Sequence, residues 1–154
     1  MRRRSFFYVL VPFLATALFG QEQPFSGTWK LNASKSKSTG PSWKSRTLTL
    51  STDGDIRKFQ SDGVNQDGMQ LKGGYDAKFD GKDHPMTGNV AGGDTIALKQ
   101  ASPREVTFTI KKAGKPVATG RSVVSSDGKT MTISTKGTTA DGKAYTSTAV
   151  YDKS

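Results

Sequence analysis

From residue 25 onward the apolar side chains fall at alternate positions, in short runs separated by glycine, aspartate and proline. Phe25, Gly27, Trp29 and Leu31 share one face of an extended segment, with Thr28 and Lys30 on the other. Leu48 and Leu50 alternate with Thr47 and Thr49, and Met69, Leu71, Gly73, Tyr75, Ala77 and Phe79 keep the same period. Ile96 and Leu98 follow. Val106, Phe108 and Ile110 then alternate with Glu105, Thr107, Thr109 and Lys111 in the cleanest half-buried strand of the chain. Val117 and Val123, Met131 and Ile133, and the closing run Ala144 to Tyr151 complete the series. Ile56 to Ser61 is less regular: Phe59 shares its parity with Arg57 and Ser61, which leaves the inward face of that strand open.

The connections are centred near residues 54, 68, 81, 93, 103, 114, 128 and 142, and Asp-Gly pairs are frequent in them. Strands this short joined by turns this tight predict an antiparallel meander, because parallel crossovers need longer connections. Residues 33–43 read as a loop with at most one helical turn, 62–68 as a connection, and 83–93 as irregular. The Gly73-Gly74 pair predicts a bulge or sharp bend in mid-strand. Nine or ten strands with one dry face, and no helix to cover it, predict a sheet closed on itself. The fold expected is all-β, an antiparallel up-and-down barrel of 8–10 strands, with a two-sheet sandwich as the alternative.

Ahead of this domain, Arg2, Arg3 and Arg4 precede an apolar run from Phe6 to Phe19, followed by Gln21, Glu22 and Gln23. That is the pattern of a secretory signal peptide over residues 1–20, cleaved after Ala17 or after Gly20, the latter preferred. It leaves a single domain at 21–154, secreted or periplasmic, monomeric and without a transmembrane segment. There is no cysteine, so neither disulfides nor a lipidated cysteine contributes. Leu, Ile, Val and Phe make up only 20 of those 134 residues, a content at which chains are often disordered. The alternation argues the other way: the intervening positions are rich in Thr, which suits an exposed pleated face.

Without Arg2, Arg3 and Arg4 the net charge falls from +10 to +7. The excess is spread over turns and the solvent face and is densest from Lys35 to Arg46, which fits attraction to an anionic surface. Nucleic acid is not expected as a partner, since aromatics do not interleave with the basic residues and the chain is exported. His84 is the only histidine, so a transition-metal site would rest on one imidazole. Asp53, Asp55, Asp62 and Asp67 lack the alternate-oxygen loop of a calcium site and belong to hairpin turns. No nucleophile stands near a base in a recognisable order. Neither enzymatic activity, nor a cofactor, nor a metal is expected.

Phe25, Gly27, Thr28, Trp29, Lys30 and Leu31 resemble the opening strand of the calycins, the superfamily of lipocalins and fatty-acid-binding proteins. Ala149, Val150, Tyr151, Asp152 and Lys153 resemble the end of the fatty-acid-binding branch. The Gly-Thr-Trp-Lys-Leu-Asn stretch, a Lys- and Ser-rich loop and the later Asp-Gly-Lys turns are similar to small secreted lipocalin-like proteins of bacteria. The resemblance implies a calycin barrel with an interior pocket for a small apolar or amphipathic ligand. The fatty-acid-binding branch holds its ligand carboxylate with an Arg-x-Tyr in the last strand; here Tyr151 is kept and Ala149 replaces the arginine. The helical lid of that branch would fall at 33–45, where Pro41 and the Ser and Gly content oppose it. Interior candidates for ligand contact are Trp29, Leu31, Leu71, Tyr75, Phe108, Arg121, Met131, Tyr145 and Tyr151. Arg121 either supplies the missing charge or covers Trp29 by cation-π contact. The alternative is a filled barrel acting as an interaction module, its basic surface docking on an anionic envelope component or a partner protein.

Overall fold

The computed structural model describes residues 23–154; the predicted leader lies outside the described residues. The strands are β1 Gly27–Leu31, β2 Lys37–Ser38, β3 Trp43–Asp53, β4 Ile56–Asn65, β5 Gln70–Lys78 and β6 His84–Pro85, then β7 Thr95–Ser102, β8 Glu105–Lys112, β9 Lys115–Val124, β10 Thr130–Thr138 and β11 Ala144–Lys153. They form one antiparallel sheet in the order β5-β4-β3-β1-β11-β10-β9-β8-β7-β6, with β2 paired to β11 off this path. Among the described residues the helical structure is a single 3₁₀ turn, Ala33–Lys35, capped by the Asn32 side chain. The 33–43 segment thus holds the one helical turn its Pro and Gly content allows, together with the short strand β2, which the sequence did not predict.

The first and last long strands meet: Leu31 opposes Tyr151 and Trp29 opposes Lys153. At the other margin β5 reaches β6 through one bridge between Gly74 and Thr87, with backbone N–H to carbonyl bonds of 3.1 and 2.8 Å. The sheet is thus a nearly closed up-and-down barrel rather than a sandwich. Closure spares the two long edges that an open meander would expose.

The Gly73-Gly74 pair does not bulge; β4 and β5 pair in continuous register through it. It is needed at the seam. A Cβ on Gly73 would stand 2.1 Å from the Thr87 carbonyl oxygen, and one on Gly74 2.0 Å from that of Phe59. The predicted connection at 62–68 also shortens, because β4 runs on to Asn65. The Asp62-Gly63 pair is strand, and Gly63 lies beneath the Trp43 ring, where a Cβ would be 2.8 Å from Cε3.

The end of the barrel that carries the chain's entry into β1 is filled. Trp29, Leu48, Leu98, Val106, Val124 and Met131 pack there with essentially no exposure. Phe25 belongs to the same cluster, its carbonyl accepting the Trp29 indole N–H at 2.9 Å. Lys153 Nζ stands 5.3 Å from the Trp29 ring centroid, so the cation over the tryptophan comes from β11 and not from Arg121.

Candidate functional site

Above this plug the barrel is hollow. A cavity of about 730 Å³ opens there, with Arg46 of β3 and Arg57 of β4 among its lining residues. The rim is formed by Pro41 to Trp43, the 89–92 segment, the β8–β9 turn and residues 138–140, whereas Phe59, Tyr75, Phe108 and Tyr151 line deeper levels. This volume lies within the range of roughly 300–1,000 Å³ usual for small-molecule sites. Phe59 and Tyr75, on neighbouring strands, stack with ring centroids 4.8 Å apart.

Two cations enter this interior from the face that carries Leu48, Leu50 and Phe59. Arg46 is half-buried: its Nε donates to Ser61 Oγ at 2.7 Å, Nη1 to the Tyr151 hydroxyl at 3.3 Å and Nη2 to the Val90 carbonyl at 3.4 Å. Its guanidinium carbon also sits 4.3 Å from the Trp43 ring centroid, so one side chain joins β3, β4, β11, the rim and the loop after β6. Arg57 is only 2% exposed, and its guanidinium stacks 4.8 Å over the Phe25 ring. Its Nε is buried without a hydrogen-bond partner. Among the described residues no Asp or Glu lines the cavity, whereas Lys112 and Lys115 add positive charge at its rim. Burial pushes the Tyr75 phenol above its ordinary value, and the charges of Arg57 and Arg46 pull it partly back.

Of the residues expected inside the barrel, Leu71, Tyr75, Phe108, Tyr145 and Tyr151 line the cavity. Trp29 and Met131 are part of the solid plug, with Leu31 packed against it. Arg121 is a correction. Its side chain is 61% exposed on the outer wall and pairs with Glu105 at 3.5 Å. The register slips between Ile110 and Lys111: Ala118 opposes Ile110 and Pro116 opposes Lys111, leaving Val117 as the extra residue of a bulge. An inserted residue inverts the parity of everything beyond it. Ala118, Ser122 and Val124 are therefore buried, while Arg121 turns outward. Sequence reasoning missed Arg46, Arg57 and Trp43; the signal for the arginines was their shared parity with Leu48 and Phe59. His84, the only histidine, hydrogen-bonds Asp80 at 2.9 Å across the β5–β6 turn.

No protein-family model matches the chain, and no curated protein matches it. Solved structures do. A zebrafish ileal bile acid-binding protein complexed with cholic acid aligns with a TM-score of 0.53 at 10% identity, over 85% of this chain and 99% of that one. The fold is a calycin-like up-and-down barrel. A redesigned β-barrel bound to DFHBI aligns at 19% identity with a TM-score of 0.40, over 82% of this chain and 94% of that one.

Proposed function

We propose that this protein is an exported binding protein that holds one small amphipathic molecule in the barrel interior. The observation that carries the reading is the cavity itself, about 730 Å³ of space with aromatic and aliphatic walls and two guanidiniums among its lining residues. An interior built only for stability would be filled to the density of an organic crystal. Among the described residues no helix covers the rim, so exchange with solvent needs only movement of turns and the 86–94 segment. The zebrafish bile acid-binding protein that shares this fold is complexed with cholic acid, which supports the reading. The uncharged fluorophore N-phenyl-1-naphthylamine tests the reading. Saturable uptake by the folded protein at one site per chain is expected; no uptake would mean that the interior is closed to ligands.

A second reading rests on the outer wall. There Lys99, Lys111, Arg121 and Lys136 surround a shallow groove with threonines of β8, β9 and β11 between them. Salt-sensitive adsorption to anionic vesicles, without dye uptake, is the result that would favour docking through this surface.

A further inference from the structure

Arg57 is the anomaly of this interior. A guanidinium withdrawn from water is costly unless ion-paired and fully hydrogen-bonded, yet this one is 98% buried, with an unpartnered Nε and an aromatic ring as its neighbour. Among the described residues no ion pair involves Arg57 or Arg46. Arg46 spends its Nε–H and one N–H on each Nη on neutral acceptors, so its charge is unbalanced and a second N–H on each Nη is spare. Both guanidiniums line the same cavity as the Tyr75 phenol, and both act on that phenol electrostatically. Tyr75, neutral at ordinary pH, cannot balance them.

We infer that the arginine-lined wall of the cavity receives a doubly charged, phosphomonoester-type headgroup, with Arg57 as its principal receptor and Arg46 as the second cation, while the apolar tail lies toward Leu71, Ile110 and Val117. This rests on the reading of the cavity as a ligand site. Charge balance selects the headgroup: a carboxylate answers one guanidinium and leaves the other unpaired, whereas a phosphomonoester above its second pKa of about 6 carries close to two charges. Donor count agrees. Three terminal phosphate oxygens accept from two arginine forks, a larger demand than a carboxylate's two oxygens make. The apolar wall explains why inorganic phosphate alone would not suffice, since it leaves most of the cavity without a contact.

The test is displacement of N-phenyl-1-naphthylamine at pH 8 by 1-decanol, decanoate and decyl phosphate, three ligands with one tail and about zero, one and two charges. The expected order is decyl phosphate tightest and decanol weakest, with about a tenfold step for each charge added. Arg57→Met should collapse that ladder while leaving decanol affinity within about twofold. Lys58→Gln, on the outward face of β4, should leave all three affinities unchanged. Decyl phosphate binding no tighter than decanoate would overturn the dianion assignment and leave the cavity reading standing. A ladder retained in Arg57→Met would remove Arg57 from the site. Failure of the dye itself to bind would overturn both readings. Should Arg57→Met not fold, the wild-type ladder and Arg46→Met still decide the matter, the latter losing the decyl phosphate step.

Discussion

Trp29→Ala tests the packing on which the closed end depends. Trp29 is fully buried, its indole N–H donates to the Phe25 carbonyl at 2.9 Å, and Lys153 lies over its ring. Truncating a buried aromatic to alanine costs about 3–5 kcal/mol. Leaving the Phe25 carbonyl without its donor adds about 1–3 kcal/mol where water does not reach it. Lys30, the next residue, is exposed, and its truncation should stay within about 0.5 kcal/mol. Against a total stability of about 5–15 kcal/mol, the tryptophan variant loses about a quarter or more of what holds the fold. With a urea slope of about 1.5 kcal/mol/M, a loss of 4 kcal/mol lowers the midpoint by about 2.5 M. Far-UV circular dichroism reads this without using tryptophan as the probe. Trp29→Phe separates the two parts, keeping most of the ring and losing the hydrogen bond, for about 1–2 kcal/mol. Equal midpoint shifts for Trp29→Ala and Lys30→Ala would refute the assignment of the faces of β1, and with it the position of the plug.

Gly73→Ala should destabilise the seam by about 1–3 kcal/mol or more, since its Cβ would meet the Thr87 carbonyl oxygen at 2.1 Å. Amide hydrogen exchange should show faster exchange at Gly74 and Thr87 than across β10–β11, and unchanged protection there would contradict the bridge as drawn. The raised pKa of Tyr75 stabilises the fold in its protonated form. That contribution is complete below the ordinary value of 10.0 and is lost as pH rises past it and through the folded value. Denaturation midpoints followed above pH 10 should therefore fall more steeply in the wild type than in Tyr75→Phe; parallel curves would mean that the phenol titrates as in solvent.

Much of the fold could be read in the chain because turn chemistry and alternation agree. Gly54, Gly128 and Gly142 have positive φ in the turns where Asp-Gly pairs predict them, and β8 alternates as Val106, Phe108 and Ile110 suggest. The pairing of β1 with β11 followed from the need to cover a one-sided sheet, an argument that requires no knowledge of either strand's partner. Two local signals misled. Asp62-Gly63 looks like a hairpin turn, yet the glycine there makes room for Trp43. Gly73-Gly74 looks like a bulge, yet the pair lets two strands' backbones approach where the barrel closes.

The cavity was less legible for a reason that also bears on its use. Alternation identifies inward positions by their apolarity, so an inward strand face made of Arg57, Phe59 and Ser61 gives no clear reading. Where the same rule was applied across an unseen bulge at Val117, it turned Arg121 inward and hid Ser122. The positions that broke the pattern are not scattered. Arg57 and Ser122 line the cavity, Ser61 holds Arg46 in it, and Val117 belongs to its wall. In the plug, by contrast, β1 and the Leu48-Leu50 part of β3 obey the rule throughout. Inward polarity is a cost to folding that a filled, ligand-free barrel has no reason to carry. The gathering of that cost around the cavity, while the residues packed about Trp29 are apolar, is what the proposed ligand site would account for.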